Sequence, residues 1–158
     1  MDLYFARELY ELSVNGSQME LDQLEYVSVE GWVRTNRDNG QVGFIELNDG
    51  TYFRNIQIVY GPELENHSEV SHLLTGASIL VIGRFISTPE NKQPFEIRAT
   101  SVEVLGSCEE TYPLQKKRHS FEFLREIPHL RPRTNTFMAV YRIRSVLAMA
   151  IHEFFQSQ

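Results

Sequence analysis

Between residues 27 and 60 apolar and polar positions alternate with a period of two, the pattern of strands that bury one face. Val27, Val29, Gly31 and Val33 take one phase; Ser28, Glu30, Trp32 and Arg34 take the other. A second run sets Gly43, Ile45 and Leu47 against Val42, Phe44, Glu46 and Asn48. A third sets Ile56, Ile58 and Tyr60 against Asn55, Gln57 and Val59. Asp38-Asn39-Gly40 is expected to join the first two runs as a type I′ hairpin, because Asn-Gly accepts positive φ angles. Asn48-Asp49-Gly50 is expected to turn the chain again. The result is a three-stranded meander with Phe44 and Gln57 on its outer face.

On either side of this meander the pattern changes. Leu3, Phe5, Leu9 and Leu12 fall at loosely helical spacing ahead of Asn15-Gly16-Ser17, which predicts a short lead-in helix within residues 2–26. After the third run Gly61-Pro62 breaks the alternation, and Asn66 with Glu69 three residues on resembles a capping box. Val70, Leu73 and Leu74 give the helix that follows a narrow apolar face, with its end expected at Gly76. Residues 78–87, SILVIGRFIS, are apolar on both phases, which predicts a strand buried on two sides. Thr88-Pro89-Glu90-Asn91 turns the chain into a last run in which Phe95, Ile97 and Ala99 face inward. There the pattern slips by one residue to Val102 and Val104, as a β-bulge would make it. Five strands with a helix between the third and fourth is the order of an OB-fold, a small Greek-key barrel whose open face binds oligonucleotides. Other barrels of this kind bind only proteins.

Residues 106–135 are interrupted by Pro113, Pro128 and Pro132 and carry the basic run Lys116-Lys117-Arg118-His119, which reads as a hinge with a short helix near residues 120–126. From Thr136 onward, Phe137, Val140, Tyr141, Leu147, Ile151, Phe154 and Phe155 recur near the helical period and predict one long helix. About twenty residues would span ~30 Å. With no capping glycine and nothing to cover that apolar face, the chain reads as cut from something larger. The expected architecture is therefore mainly β: a lead-in over 1–26, an OB-fold barrel over 27–106, a hinge over 107–135 and a long terminal helix over 136–158.

Composition narrows the function. With 42% hydrophobic residues in 158 the chain has ample material for a core. Its single cysteine, Cys108, excludes an intrachain disulfide and a cysteine-based metal site, which points to the reducing cytoplasm. No signal peptide and no apolar run of membrane-spanning length is expected. The net charge of −6 is unevenly divided. Residues 1–110 hold 7 basic and 18 acidic residues, net −11, whereas residues 111–158 hold 8 basic and 3 acidic, net +5. An acidic sheet is a poor general phosphate binder, because non-specific nucleic-acid affinity comes from Lys and Arg releasing counterions. Any RNA contact on it has to rest on bases.

Phe44, on an outer face among polar neighbours, suits that need: a base stacked on such a ring gains ~1–3 kcal/mol, and the nearby Gln57 amide can read a base edge. The competing reading has Phe44 covered by another part of the chain. Glu96 and Arg98 project from the outer side of the fifth strand and either border the same face or are simply solvated. The same alternatives hold for the basic run at 116–119, as a phosphate contact or a solvated surface. The chain has no glycine-rich phosphate loop, no Ser/His/Asp order and five histidines without metal-ligand spacing, His67 and His72 being five apart. No catalytic and no metal-binding residues are expected in it.

Two stretches carry a resemblance. VEGWVRTNRDNGQVGFIEL resembles the start of the anticodon-binding barrel of the class II aminoacyl-tRNA synthetases for aspartate, asparagine and lysine. YPLQKKRHSFEFLREIPHLRPRTNTFMAVYRIRSVLAMAIHEFF is similar to the hinge and first class II motif helix of the asparaginyl members. With QPFEIRATSVEVLG these stretches cover nearly everything after residue 26. The resemblance implies that Phe44 stacks on an anticodon base and that Gln57 reads the central uracil. It makes Arg37 a basic anticodon contact and Glu96 the acidic residue beside the first anticodon base. It implies tRNA with an asparagine anticodon as partner, residues 136–158 as the start of a class II catalytic domain, and a homodimer formed through that helix. ATP and magnesium would serve the whole enzyme. The motifs that hold ATP do not occur in these residues, so no cofactor and no ligase activity are expected of this chain by itself. Three alternatives remain: the same module from an aspartyl enzyme, against which HLRPRTNTF argues; a free OB-fold protein that binds single-stranded nucleic acid, whose basic groove is missing; and a pure interaction domain that dimerises through the terminal helix.

Overall fold

The computed structural model describes residues 2–16 and 24–158. The chain divides into two compact units, Met1–Lys116 and Lys117–Gln158. In the first, helix α1 (Ala6–Asn15) precedes five strands: β1 (Tyr26–Asp38), β2 (Gly43–Asn48), β3 (Ile56–Tyr60), β4 (Ser78–Ser87) and β5 (Phe95–Gly106), with helix α2 (His67–Ser71) between β3 and β4. The strands close a barrel in the order β1-β2-β3-β5-β4, and β4 returns to β1. All neighbours are antiparallel except β3 and β5, which run parallel where Ile58 faces Ile97 and Val59 faces Arg98. This is the five-stranded OB-fold expected from the alternation. The inward phase (Val27, Val29, Val33, Ile45, Leu47, Ile56, Ile58) is buried throughout. β1 is long because it serves two neighbours: residues 26–32 pair with β4 and residues 32–38 with β2, with a register shift between Val33 and Thr35 as the strand passes between them.

The bulge expected in β5 is present. Ser101 faces Ile82 and Ala99 faces Gly83, so Thr100 is the extra residue, and its hydroxyl donates to the Ile82 carbonyl at 3.1 Å. α1 also forms as expected and buries Ala6, Leu9 and Tyr10. Ser17, part of the anticipated stop after it, lies outside the described residues.

Three local expectations are corrected. The β1–β2 connection is not a type I′ hairpin: Gly40 has φ +85°, but no described non-glycine residue has a positive φ, so Asn39 is not left-handed. The Asn39 side chain instead accepts from the amides of Gln41 and Val42 at 3.0 and 2.9 Å, which stabilises a four-residue loop over 39–42. α2 stops at Ser71 rather than running to Gly76, because Asn36 on β1 donates its amide to the carbonyls of Val70 at 2.8 Å, Ser71 at 3.3 Å and Leu73 at 3.4 Å. Those acceptors are therefore shared with a neighbouring strand. Gly76, φ +98°, instead donates to the Val33 carbonyl and brings the chain back to the barrel. β4 is fully buried on one side only, through Ile79, Val81 and Phe85, while Leu80, Ile82 and Ile86 are half-buried.

The second unit holds α3 (Phe121–Glu126), a 3₁₀ turn (Arg131–Arg133) and α4 (Asn135–Gln156). Ser120 caps α3 by accepting from the Phe123 amide at 3.2 Å, an N-cap of the preferred kind. Arg131 lies 5.0 Å from the Phe137 ring centroid and donates to the Tyr141 hydroxyl at 3.0 Å, which ties the turn to the first two turns of α4. None of the described helices is long and apolar enough to cross a membrane.

Candidate nucleic-acid interface

Strand register brings the sequence-predicted residues onto one face. Phe44 on β2 lies opposite Arg37 on β1 and Val59 on β3, and Val59 lies opposite Arg98 on β5. Residues directly across neighbouring strands project to the same side. Arg37, Phe44, Val59 and Arg98 therefore form one row around the outside of the barrel. The adjacent row, two residues along, is Thr35, Glu46 and Gln57, again paired strand to strand. Gln57 then donates its amide nitrogen to a carboxylate oxygen of Glu96 on β5 at 3.2 Å. All four candidate residues, Arg37, Phe44, Gln57 and Glu96, are brought together on four different strands.

Phe44 is not covered by the described chain, with 41% of its surface exposed. Val59, its neighbour in the row, is only 8% exposed although it sits on the outward phase. The ring thus rises from a dry base and is open to solvent, as a ring that stacks on a base has to be. Gly43, the residue before it, packs against the Tyr60 ring so closely that any Cβ there would collide with the ring. That contact holds the start of β2 against the end of β3.

Carboxylates and amides continue from Glu46 in the second row to Asn48 and Asn55 beyond it. Asn48 accepts from the Gly50 backbone amide at 3.0 Å and donates to the Asn55 side-chain oxygen at 3.0 Å, and Asn55 in turn donates to Glu46 at 3.1 Å. The orientation of each amide is set by the one before it, starting from a backbone N–H. Of the 7 basic residues in the acidic segment 1–110, Arg37, Arg84 and Arg98 all lie on the Phe44 row, which continues from Arg98 to Arg84 and then Tyr26. Arg84 is engaged, 5.5 Å from the Tyr26 ring centroid and 3.5 Å from Glu25.

Beneath the β1–β2 loop lies a polar cluster that sequence reading missed. His67 on α2 contacts Asp38, the residue after Arg37, at 3.1 Å. The Tyr60 hydroxyl donates to Asn36 at 2.8 Å. The Gly40 amide donating to Asp38 is the main reason its carboxyl sits below the usual carboxylate range, with Tyr60 and His67 adding to it against the opposing effect of burial. No sequence signal marks a pair 29 positions apart on a strand end and a five-residue helix. Among the described residues no group of three or more His, Cys, Asp or Glu side chains could hold a metal ion. In the basic run Lys116, Lys117 and Arg118 are exposed, and His119 stacks on Phe123 with centroids 5.2 Å apart.

Residues 27–105 match the tRNA anti-codon family, described as the OB-fold nucleic acid binding domain. The chain belongs to that family. Over 132 residues, 84% of this chain, it is 58% identical to the asparagine–tRNA ligase of Alkaliphilus oremlandii and 55% identical to that of Bacillus cytotoxicus. The chain spans 28% of the length of each of these relatives. Among solved structures, the asparaginyl-tRNA synthetase of Pyrococcus horikoshii, complexed with asparaginyl-adenylate, aligns with 85% of this chain and 32% of its own at a TM-score of 0.75 and 25% identity. An aspartyl-tRNA synthetase from Entamoeba histolytica shares the fold at a TM-score of 0.72 and 19% identity, over 100% of this chain and 40% of that one.

Proposed function

We propose that this chain is the anticodon-recognition region of an asparaginyl-tRNA synthetase, the whole enzyme joining asparagine to its tRNA with ATP and magnesium. Residues 27–106 form the anticodon-binding domain, residues 107–135 the hinge and residues 136–158 the first helix of the class II catalytic domain, through which two copies pair. The observation that carries this reading is the Phe44 row: an exposed ring in one row with Arg37 and Arg98, with the Gln57–Glu96 pair in the row beside it. Phe44 stacks on one anticodon base, Gln57 reads the central uracil, Glu96 borders the first base and Arg37 holds the loop from the β1 side. The relatives' names and the 55–58% identity to them support asparagine rather than aspartate as the amino acid.

The test is titration of labelled anticodon stem-loops with the 158-residue chain and its variants. Phe44→Ala is expected to weaken binding of the asparagine stem-loop by ~1–3 kcal/mol, the loss of one stacked base, and to leave the fold intact because the ring is outside the core. Replacing the third anticodon base by that of aspartate should weaken binding as well. Among the described residues Arg37 and Arg98 make no carboxylate contact at salt-bridge distance, so the slope of log affinity against log salt should be shallow, about −1 to −2. Equal affinity for unrelated loops, or undiminished binding by the Phe44→Ala protein, would reassign this face.

A further inference from the structure

A glutamine side chain is a poor discriminator unless something fixes which end is which. Its amide presents one acceptor, Oε1, and donors on Nε2, and the two ends have nearly the same shape. Uracil offers N3–H as a donor beside the carbonyl acceptor O4. Cytosine offers the reverse, an acceptor at N3 beside an amino donor at N4. An amide free to rotate by half a turn satisfies either base equally well, so a preference for uracil requires a rotation lock. At Gln57 the lock is visible: Nε2 donates to Glu96 Oε2 at 3.2 Å, and both side chains are half-buried. An ionised carboxylate only accepts, so it tolerates the nitrogen end of the amide and rejects the oxygen end. Oε1 is thereby turned away from Glu96, and the second N–H of Nε2 remains available beside it.

We infer that Glu96 is a positioning residue for Gln57, fixing the amide so that it takes uracil in preference to cytosine. This rests on the reading of the face as the anticodon site, and it gives Glu96 a role at the central base in addition to any contact with the first. Recognition of the two bases is then coupled through one hydrogen bond. The rest of the row fits such a division of labour: Glu46, the residue directly across from Gln57, is already occupied by the Asn55 amide at 3.1 Å. Glu96 therefore provides the orientation.

Glu96→Gln separates orientation from contact, because a neutral amide keeps the size of the carboxylate but both donates and accepts, so Gln57 can turn over. Stem-loops that differ only in a central uracil or cytosine are titrated against four proteins: unmutated, Glu96→Gln, Gln57→Ala and the double variant, each checked for an unchanged thermal melt. The uracil-to-cytosine affinity ratio is expected to fall about tenfold in Glu96→Gln, on the scale of one charge-assisted hydrogen bond. In the Gln57→Ala background the same change should leave the ratio where it is. A ratio unaltered by Glu96→Gln in a protein that does prefer uracil overturns the inference while leaving the site standing, as does an equal drop in affinity for both bases. No preference in the unmutated protein overturns the site reading as well. If Glu96→Gln fails to fold, Glu96→Asp, which remains an acceptor but is one methylene too short, gives the same comparison.

Discussion

A phenol held away from water resists ionisation, and among the described residues the first unit holds two, Tyr10 on α1 and Tyr60 on β3. Tyr10 is 2% exposed, donates to the Asn55 carbonyl at 2.7 Å and stacks on Tyr52; burial pushes its hydroxyl up to about 12 against the opposing pull of Arg54. Tyr60, 1% exposed, is raised by burial first and by the charge of Asp38 second. Both shifts favour the neutral form in the folded state. The stability they contribute is fully present below the unfolded tyrosine value of ~10 and is lost as pH rises through the folded values. Urea midpoints should therefore be flat from pH 7 to 9 and fall from about pH 10 upward. Tyr10→Phe should cost about 1 kcal/mol at neutral pH through the lost hydrogen bond and make the alkaline fall shallower. A midpoint constant up to pH 12 would contradict this. At this scale the site was only partly legible. The outward phase of Phe44 follows from a two-residue period, but that nothing described covers it, and that two arginines share its row, come from strand pairings that depend on the shift at Val33 and Thr35 and on a two-residue parallel contact. Nothing local joins Gln57 to Glu96, which are 39 positions apart.

Helix α1 depends on a cap from elsewhere in the chain. The Ala6 amide donates to Asp49 at 2.7 Å and the Arg7 amide to the Thr51 hydroxyl at 3.1 Å, while Asp49 also accepts from the Thr51 amide. Two of the N–H groups that a helix start leaves unpaired are thus satisfied by the β2–β3 loop. A carboxylate there also faces the positive end of the helix dipole. Asp49→Ala should destabilise the first unit by ~0.5–2 kcal/mol, the range for loss of an N-cap, and should raise hydrogen exchange at Leu9 and Tyr10 more than in the β1–β4 ladder. Uniform loss of protection would mean that Asp49 supports the barrel rather than the helix. The same residue shows why elements were easier to name than to bound. Asn48-Asp49-Gly50 was readable as a turn, and Gly50 has the φ of +81° that suits one, yet its partnership with residue 6 lies 43 positions away. α2 was overestimated for the same reason: Val70, Leu73 and Leu74 fit a helical face, but Asn36 on a different strand takes the carbonyls that would have continued it.

The two units carry opposite charge, and that makes their separate interactions distinguishable. α4 leaves Val140, Ile143, Leu147, Ile151 and Phe154 exposed at steps of three and four residues, and Phe155 beside them is 72% exposed. None of its residues is buried. The stripe is wider than the sequence period suggested, since Ile143 joins it and Val146 extends it at 68% exposure. Contiguous apolar surface of this kind favours association, at roughly 25 cal/mol for each Å² removed from water. The segment 111–158 carries net +5, however, so two such segments brought together repel. Salt screens that repulsion and leaves the apolar attraction in place. Self-association through α4 should therefore strengthen as salt is raised, whereas stem-loop binding, which releases counterions, should weaken slightly. Sedimentation equilibrium of the chain at low and high salt is expected to give a dimer that tightens with salt. Ile151→Glu should return the chain to a monomer with unchanged stem-loop affinity. A chain that stays monomeric at both salts while its circular dichroism retains the α4 helix would show that this stripe does not pair with its own copy.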